Sequence, residues 1–210
     1  MIVAIDGPSA SGKGTLARRI AKALGLPCLD TGLLYRATAR RLIAAGIAAG
    51  DEAAALKAAE AVTAADLEAP GLRDEAVTRL ASLVAAMPAV RRALFDFQRR
   101  FAGTPGGAVL DGRDIGTVVC PDADIKIYVD AAPEVRAERR VRELRERGLE
   151  AIPSAVLGDL LERDARDRGR RAAPLARAKD AFLLDTSQLD ADQAYEAALS
   201  FIRSREPGRR

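Results

Sequence analysis

The chain has 210 residues, which is the length of one globular domain. Hydrophobic residues make up 49% of it and charged residues 30%, a balance that excludes both a disordered chain and a membrane-spanning protein. The absence of histidine excludes histidine-based catalysis. The formal net charge is only +3, because 30 acidic residues balance 33 basic ones, so we expect no nucleic-acid partner.

The basic residues are mostly arginine, since five of the 33 are lysines. Arginine binds phosphate with a planar pair of donors, although a generally arginine-rich composition accounts for much of this excess. No apolar run reaches the ~18 residues needed to cross a bilayer, and Asp6 and Lys13 interrupt any signal peptide. Cys28 and Cys120 match no metal-ligand spacing and are predicted to be buried, reduced thiols. We therefore expect a cytoplasmic protein with no membrane partner.

Short apolar segments alternate with amphipathic ones, which predicts an α/β fold with a parallel sheet flanked by helices. The predicted strands are residues 1–6, 27–29, 108–110, 124–129 and 181–184. The predicted helices outside the middle of the chain are residues 13–24, 31–45, 132–147, 154–171 and 190–203. The tail, residues 204–210, is expected to fray.

The middle of the chain, residues 51–100, is alanine-rich and helical, with breaks at Pro70-Gly71 and at Pro88. It contains no convincing strand, and residues 53–69 read as one plain helix. We therefore predict a single domain, residues 1–210. Its core is residues 1–36, 104–133 and 179–203, and a helical insertion at about residues 37–103 binds the acceptor.

The segment from Gly7 to Thr15 lies between the first predicted strand and helix, and its first two glycines, Gly7 and Gly12, stand five residues apart directly before Lys13. This is the pattern of a phosphate-binding loop, in which backbone N–H groups and the helix N-terminus surround a phosphate. The residues predicted to bind the donor are Gly7, Pro8, Ser9, Ala10, Ser11, Gly12, Lys13, Gly14 and Thr15. The chain has no asparagine and so lacks the guanine-reading Asn-Lys-x-Asp motif, which favours ATP as the donor.

Two further polar segments follow predicted strands, at residues 30–36 and 111–119. Ligands of open α/β sheets bind at the carboxyl ends of the strands, so these segments and the phosphate loop are expected to face one crevice. The Lys13-Gly14-Thr15 ending is similar to that of nucleoside monophosphate kinases, because its hydroxyl comes one residue later than in the general pattern.

Taken together, these segments resemble those of the bacterial cytidylate kinases. The resemblance rests on the phosphate loop, Asp-Thr-Gly-x-x-Tyr-Arg at residues 30–36, residues 82–91, Asp-Gly-Arg-Asp-x-Gly-Thr-Val-Val from residue 111, and Glu-Arg-Asp-Ala-Arg-Asp-Arg-Gly-Arg at residues 162–170. It covers most of the chain. It implies a phosphate-loop kinase fold, ATP-dependent phosphorylation of CMP and of dCMP, and a monomer.

The resemblance also implies roles for individual residues. Ser82, Arg91 and Asp114 would contact cytosine; Arg36, Arg113 and Arg170 would hold the acceptor phosphate; Arg163 and Asp167 would meet the ribose; Thr31 and Tyr35 complete the CMP-binding set; and Lys13, Arg113 and Arg170 form the catalytic set. Without the family, Arg91 can equally be a solvated helix residue, Ser82 a helix-face hydroxyl, and Asp167 a helical partner of Arg163. The segment before Ser82 departs from the family by being short.

Eleven arginines crowd two predicted helices near residues 132–171, among them Arg136, Arg139, Arg163, Arg166 and Arg170. Nearby acids balance most of them, so about half are expected on a salt-bridged, solvated surface. The others are expected to belong to a lid, at about residues 147–172, that closes over the transferring phosphate.

Magnesium is the expected cofactor, with Thr15 as a ligand and Asp30 or Asp111 acting through water. The acceptor phosphate is already ionised at neutral pH, so no general base is needed. Two alternatives stay open: a kinase of UMP, AMP or a hydroxyl-bearing metabolite, and a nucleotide-binding module without turnover.

Overall fold

The computed structural model describes residues 1–48 and 50–205. Its centre is a sheet of five parallel strands: β1 (Ile2–Asp6), β2 (Cys28–Asp30), β3 (Ala108–Gly112), β4 (Ile125–Asp130) and β5 (Phe182–Asp185). Their order across the sheet is β2-β3-β1-β4-β5. The prediction of an α/β fold with a parallel sheet is confirmed.

Eight helices flank the sheet in the described residues: α1 (Lys13–Leu24), α2 (Gly32–Ala44), α3 (Glu52–Glu60), α4 (Glu75–Val84), α5 (Pro88–Ala102), α6 (Pro133–Glu146), α7 (Pro153–Gly169) and α8 (Ala191–Arg205). Successive residues of a strand point to opposite faces, so Ala4 and Leu110 pack with α2 to α5, whereas Val3 and Val109 pack with α1 and α8. Two cores result, one on each face of the sheet.

The middle of the chain departs from prediction in one place. The single helix predicted for residues 53–69 is wrong, because α3 ends at Glu60 and a 3-10 turn (Ala64–Glu68) follows. The Asp66 carboxylate accepts hydrogen bonds from both the backbone N–H and the hydroxyl of Thr63, each 2.8 Å long. This local capping competes with continuation of the helix.

Smaller differences concern element ends. The second strand begins at Cys28 rather than at residue 27, and the carbonyl of Pro27 still accepts a hydrogen bond from the Val109 N–H. The predicted fraying begins too early, because α8 continues to Arg205, and residues 206–210 lie outside the described residues. Both cysteines are free, but Cys28 is half-buried, and Cys120 alone is buried as predicted. No helix in the described ranges is long and apolar enough to span a membrane.

An aspartate lies at or next to the carboxyl end of every strand: Asp6, Asp30, Asp111, Asp130 and Asp185. Parallel strands present these ends along one edge of the sheet. The phosphate loop begins directly after β1, which lies between β3 and β4 at the centre of the sheet. Segments from neighbouring strands therefore meet at one edge.

Candidate active site

The phosphate loop turns tightly between β1 and α1. A Cβ atom at Gly7 would lie 2.0 Å from the carbonyl oxygen of Val129, so no side chain fits there. Gly12, just before α1, has a φ of +90°, which glycine adopts without strain. Two side chains hold the loop from outside: an Arg136 N–H donates to the Ser9 carbonyl at 3.2 Å, and the Thr186 hydroxyl to the Ser11 carbonyl at 3.1 Å.

Lys13 is the first residue of α1 and carries the only cationic side chain of the loop. Its ammonium donates to the carbonyl oxygen of Pro8 at 3.3 Å and lies 3.9 Å from a carboxylate oxygen of Asp111. Burial, and then the nearby guanidinium of Arg113, lower the pKa of Lys13 to about 8, although Asp111 and Asp30 oppose that shift. The loop therefore holds a buried ammonium close to two carboxylates and a guanidinium, and a bound phosphate would add further negative charge to stabilise it.

Two carboxylates, those of Asp111 and Asp30, lie beside the loop. Burial raises the pKa of Asp111 to about 6, and its Oδ1 atom is buried with no hydrogen-bond partner. Position 14 is crowded, because a Cβ atom at Gly14 would lie 3.1 Å from the other oxygen of Asp111 and that carboxylate would have to shift. Thr15 is exposed, and its hydroxyl accepts a 3.3 Å hydrogen bond from Arg18.

These residues fit a hydrated magnesium ion. The described residues contain no cluster of three or more acidic or thiol side chains that would hold a metal alone. Mg²⁺ commonly keeps several waters and binds through one or two carboxylates together with substrate phosphates. The Oδ1 atom of Asp111, which accepts no hydrogen bond and lies 3.9 Å from the Lys13 ammonium, is suited to such water-mediated contact.

A second site, the acceptor cavity, opens between the sheet edge, α4 and α7. Its lining residues are Thr31, Gly32, Tyr35, Ala81, Ser82, Ala85, Arg91, Gly112, Arg113, Asp114, Arg163, Asp167 and Arg170. Nine of the ten residues predicted to bind CMP are in this set. The exception is Arg36, which does not line the cavity and donates instead to the carbonyl oxygen of Leu72 at 3.4 Å.

One wall of the acceptor cavity holds a buried ion pair between Arg91 of α5 and Asp114, which follows β3. Arg91 also donates to the carbonyl oxygen of Ala85, at 3.3 Å, and its guanidinium lies 5.6 Å from the centroid of the Tyr35 ring. Arg91 is therefore not a solvated helix residue. The pair presents a carboxylate and guanidinium donors in one place, which suits recognition of a ring with both donors and acceptors.

The opposite wall gathers three arginines around one carboxylate. Arg113 donates to Asp167 at 2.9 Å, and a guanidinium nitrogen of Arg170 lies 3.9 Å from the other oxygen of Asp167. The Nε and Nη2 atoms of Arg170 and the Nε atom of Arg163 are buried without hydrogen-bond partners. Burial, and then Arg113, lower the pKa of Arg163 to about 9. This excess of unpaired donors and positive charge is suited to a phosphate group.

Ser82 and Asp167 have partners that sequence reasoning did not predict. The Ser82 hydroxyl accepts a 2.7 Å hydrogen bond from Arg166 of α7, so it links α4 to α7. Asp167 forms ion pairs with Arg113 and Arg170, and its charge also interacts favourably with Arg163 one turn earlier, so the contact along the helix is one part of a wider cluster. Contacts between distant segments of this kind are not encoded in local spacing.

Three further residues of the site were missed. Arg136 is 1% exposed and joins the phosphate loop to Asp164 of α7, yet nothing in the sequence separates it from the ten other arginines of its region. Thr186 directly follows β5, a strand-end position of the kind that drew attention to Asp30. Asp6 ends β1, and its carboxylate accepts from two backbone N–H groups after β3.

Comparison with known proteins identifies close relatives. A family model described as cytidylate kinase matches residues 3–204. The cytidylate kinase of Methylocella silvestris is 58% identical over 204 residues, which are 97% of this chain and 94% of that protein. The cytidylate kinase of Xanthobacter autotrophicus is 56% identical over 209 residues, with 100% of both chains covered.

Solved structures with lower identity share the fold. An uncharacterized protein from Eubacterium ventriosum has a TM-score of 0.58 at 15% identity, covering 97% of this chain and 99% of that one. A gluconokinase from Sinorhizobium meliloti has a TM-score of 0.50 at 20% identity, covering 97% of this chain and 93% of that one. At these identities the similarity concerns the fold alone.

Proposed function

The chain belongs to the cytidylate kinase family, and from that premise we infer how its residues carry out the reaction. The protein transfers the terminal phosphoryl group of ATP to CMP, producing CDP and ADP. An oxygen of the CMP phosphate attacks the γ-phosphorus while the bond from that phosphorus to the β–γ bridging oxygen breaks. Because a phosphate monoester is largely ionised at pH 7, with a second pKa of ~6, the attacking oxygen needs no general base.

The donor triphosphate lies in the phosphate loop, Gly7–Thr15, with its β- and γ-phosphates next to the Lys13 ammonium. The inward-facing backbone N–H groups and the N-terminus of α1 supply further positive potential. Catalysis is then positioning together with neutralisation of the charge that spreads over the transferring group.

Magnesium is the cofactor of this proposal, and when bound it would supply positive charge that offsets the charge of the donor phosphates. Asp111 and Asp30 would hold it through water, which is supported by the Asp111 oxygen beside the loop that has no hydrogen-bond partner. Thr15 is the proposed direct protein ligand. Its exposed hydroxyl, engaged only by a long hydrogen bond from Arg18, is free to reorient.

CMP lies in the acceptor cavity. Asp114, Arg91 and Ser82 contact the cytosine ring, and Thr31 and Tyr35 complete the wall of the cavity around it. Arg113 and Arg170 hold the CMP phosphate, joined by Arg36 when the cavity closes, and together with Lys13 they complete the catalytic set. The buried, unpaired nitrogens of Arg170 support this assignment, because an anion would satisfy them.

The ribose contacts Arg163 and Asp167. Both oxygens of Asp167 already face arginine partners, so loss of the ribose 2′-hydroxyl would leave no unpaired carboxylate. We therefore propose that dCMP is an acceptor as well as CMP.

The proposed domain organisation is the one predicted from the sequence. Residues 1–36, 104–133 and 179–203 form the core, about residues 37–103 the acceptor-binding insertion, and about residues 147–172 the lid. The lid includes most of α7, which carries Arg163 and Asp167 and contacts α4 through Arg166 and Ser82, and it includes Arg170, which directly follows α7. We propose a cytoplasmic monomer whose partners are nucleotides rather than nucleic acid or membrane, in keeping with its two free cysteines and near-balanced charge.

The buried Arg91–Asp114 pair is the observation that carries the choice of cytosine. Cytosine presents an N4 amino donor where uracil presents an O4 acceptor, so a carboxylate at Asp114 favours CMP and repels UMP. One polar base contact is worth ~1–3 kcal/mol, and the O4 acceptor of uracil would both lose that contact and face the carboxylate.

The test is kcat/KM for CMP and for UMP in the wild type and in Asp114→Ala. We expect the substitution to lower CMP turnover while UMP suffers much less, so that the CMP:UMP ratio narrows. Asp122→Ala is the matched control, because Asp122 is an exposed carboxylate in the same connection that pairs with Arg99. An unchanged ratio in Asp114→Ala would remove Asp114 from base recognition.

A further inference from the structure

Asp6 is a buried carboxylate that touches neither nucleotide in the mechanism above. It is the last residue of β1, is 5% exposed, and directly precedes Gly7 of the phosphate loop. Its two oxygens accept one hydrogen bond each, from the backbone N–H groups of Ile115 and Gly116, both 2.8 Å long. A single side chain thus joins the end of β1 to the segment that follows β3.

That segment is a short π-helical turn, Ile115–Val119, and Asp114 is the residue that opens it. The carbonyl oxygen of Asp114 accepts hydrogen bonds from the N–H groups of Val118 and Val119, at 2.8 and 3.1 Å. The two N–H groups that Asp6 holds therefore belong to the residues immediately after Asp114. The placement of Asp114 against Arg91 depends on where this turn is anchored.

Each oxygen of Asp6 faces one N–H donor, an arrangement that the ionised carboxylate satisfies at both ends. Burial raises the pKa of Asp6 to about 7, opposed by the hydrogen bonds from Gly116 and Ile115, which favour the charged form. An asparagine of the same shape has one carbonyl oxygen and can accept from one of the two N–H groups, while its amide N–H₂ would face the other. The substitution Asp6→Asn would therefore release one end of the turn without creating a cavity.

We propose that Asp6 is a positioning residue for base selection, which anchors the turn after β3 and thereby holds Asp114 where it distinguishes cytosine from uracil. This inference rests on the proposed role of Asp114 as the base-reading carboxylate. Asp6 does not line the acceptor cavity, and it acts through the backbone of Ile115 and Gly116.

The experiment compares Asp6→Asn with the wild type through kcat/KM for CMP and for UMP, KM for ATP, and the melting temperature. We expect the CMP:UMP ratio to fall about tenfold or more, because displacing a recognition group by ~1 Å can cost up to ~10²-fold. KM for ATP should stay within about threefold, since Arg136 and Thr186 still hold the phosphate loop.

Asp124→Asn is the matched control. Asp124 accepts a 2.7 Å hydrogen bond from the Ile2 N–H at the other end of β1, far from the acceptor cavity. The Asp124→Asn substitution should leave the ratio of kcat/KM for CMP to that for UMP unchanged. A melting temperature that falls in Asp6→Asn with an unchanged ratio would overturn the proposal, because that is the signature of a purely structural residue.

Asp114→Ala is measured in parallel to separate the two proposals. If Asp114→Ala narrows the CMP:UMP ratio and Asp6→Asn does not, the positioning role of Asp6 is overturned and base recognition by Asp114 stands. If Asp114→Ala leaves the ratio unchanged, both proposals fail. Should Asp6→Asn not fold, Asp6→Ser is used, because its smaller side chain admits water to the two N–H groups and should narrow the ratio in the same way.

Discussion

Lys13 supplies the only side-chain charge of the phosphate loop, whose other proposed contacts to the donor phosphates are made by backbone N–H groups. We expect Lys13→Ala to lower kcat at least ~10²-fold, because the charge that faces the transferring phosphate is lost. The fold should persist, since the hydrogen bond that Lys13 donates goes to the carbonyl of Pro8 within the same loop. Steady-state ADP release measures the effect. Lys22→Ala, on the exposed last turn of the same helix, is the control, and activity of Lys13→Ala within threefold of the wild type would contradict the role.

The lowered pKa of Lys13 gives a prediction for pH dependence. Burial and Arg113 bring its pKa to about 8, so the free enzyme loses the ammonium charge as the pH rises above that value. Above pH 8, kcat/KM for ATP should fall about tenfold per pH unit, whereas kcat should hold to higher pH because bound phosphates raise the pKa again.

The control for that profile is Lys13→Arg, whose guanidinium stays charged throughout the range. Its kcat/KM for ATP, whatever its absolute size, should lack the decline above pH 8. A wild-type profile that stays flat up to pH 10 would show that titration of Lys13 does not limit ATP capture.

Among single residues, the sequence predicted those site residues that belong to one continuous motif. The phosphate loop follows from the spacing of Gly7, Gly12 and Lys13, because a strand, a glycine turn and a helix N-terminus are all local features. The Arg91–Asp114 pair could not follow in this way, since its members are 23 residues apart on different elements. Only the resemblance to a family named those residues, and neither local spacing nor that resemblance pointed to Asp6.

Among the elements, α6 and α7 are joined by a buried ion pair between Arg136 and Asp164, which are 1% and 2% exposed. Arg136 also donates to the carbonyl oxygens of Ala131 and Ser9, so one guanidinium connects α7, the end of β4 and the phosphate loop. Removing Arg136 would leave the buried Asp164 paired only weakly, with the exposed Arg168 at 3.8 Å, whereas removing both members of a buried pair can be tolerated.

We expect Arg136→Met to lower the free energy of unfolding by ~3–5 kcal/mol. The double variant Arg136→Met/Asp164→Leu should recover at least half of that loss, because no buried charge remains without a partner. Urea unfolding measures both. Arg79→Met, which breaks the exposed pair with Glu75 on α4, should change stability by about 0.5 kcal/mol or less.

A single Arg136→Met variant as stable as the wild type would mean that solvent reaches Asp164 and that the pair is not buried in solution. A double variant no more stable than the single one would instead assign the loss to the carbonyl contacts of Arg136.

The elements themselves were predictable where one pattern dominated. Short apolar segments predicted all five strands, and the amphipathic period predicted α1 and α8. The helix predicted at residues 53–69 was wrong because Thr63 and Asp66 cap one another, and an alanine-rich run hides that competition. Arg136 was not distinguished because burial of a charge depends on a partner in another helix.

For the whole molecule, the sheet order determines how the two sites meet. With β1 between β3 and β4, the phosphate loop begins at the middle of the sheet, and the acceptor segment after β3 lies beside it. The sequence indicated parallel strands with ligands at their carboxyl ends but not their order, because strand neighbours are chosen by packing across both faces. The central claim, that this arrangement passes a phosphoryl group from ATP to CMP, concerns the whole molecule.

The most direct measurement of that claim is the rate of ADP release from ATP and Mg²⁺ with CMP, dCMP, UMP, AMP and GMP at matched concentrations. We expect rapid release with CMP and dCMP and much slower release with the other three, since the proposed role of the Asp114 carboxylate is to accept a hydrogen bond from the cytosine amino group. Equal rates with CMP and UMP, faster release with AMP, or no release with any monophosphate would contradict the account.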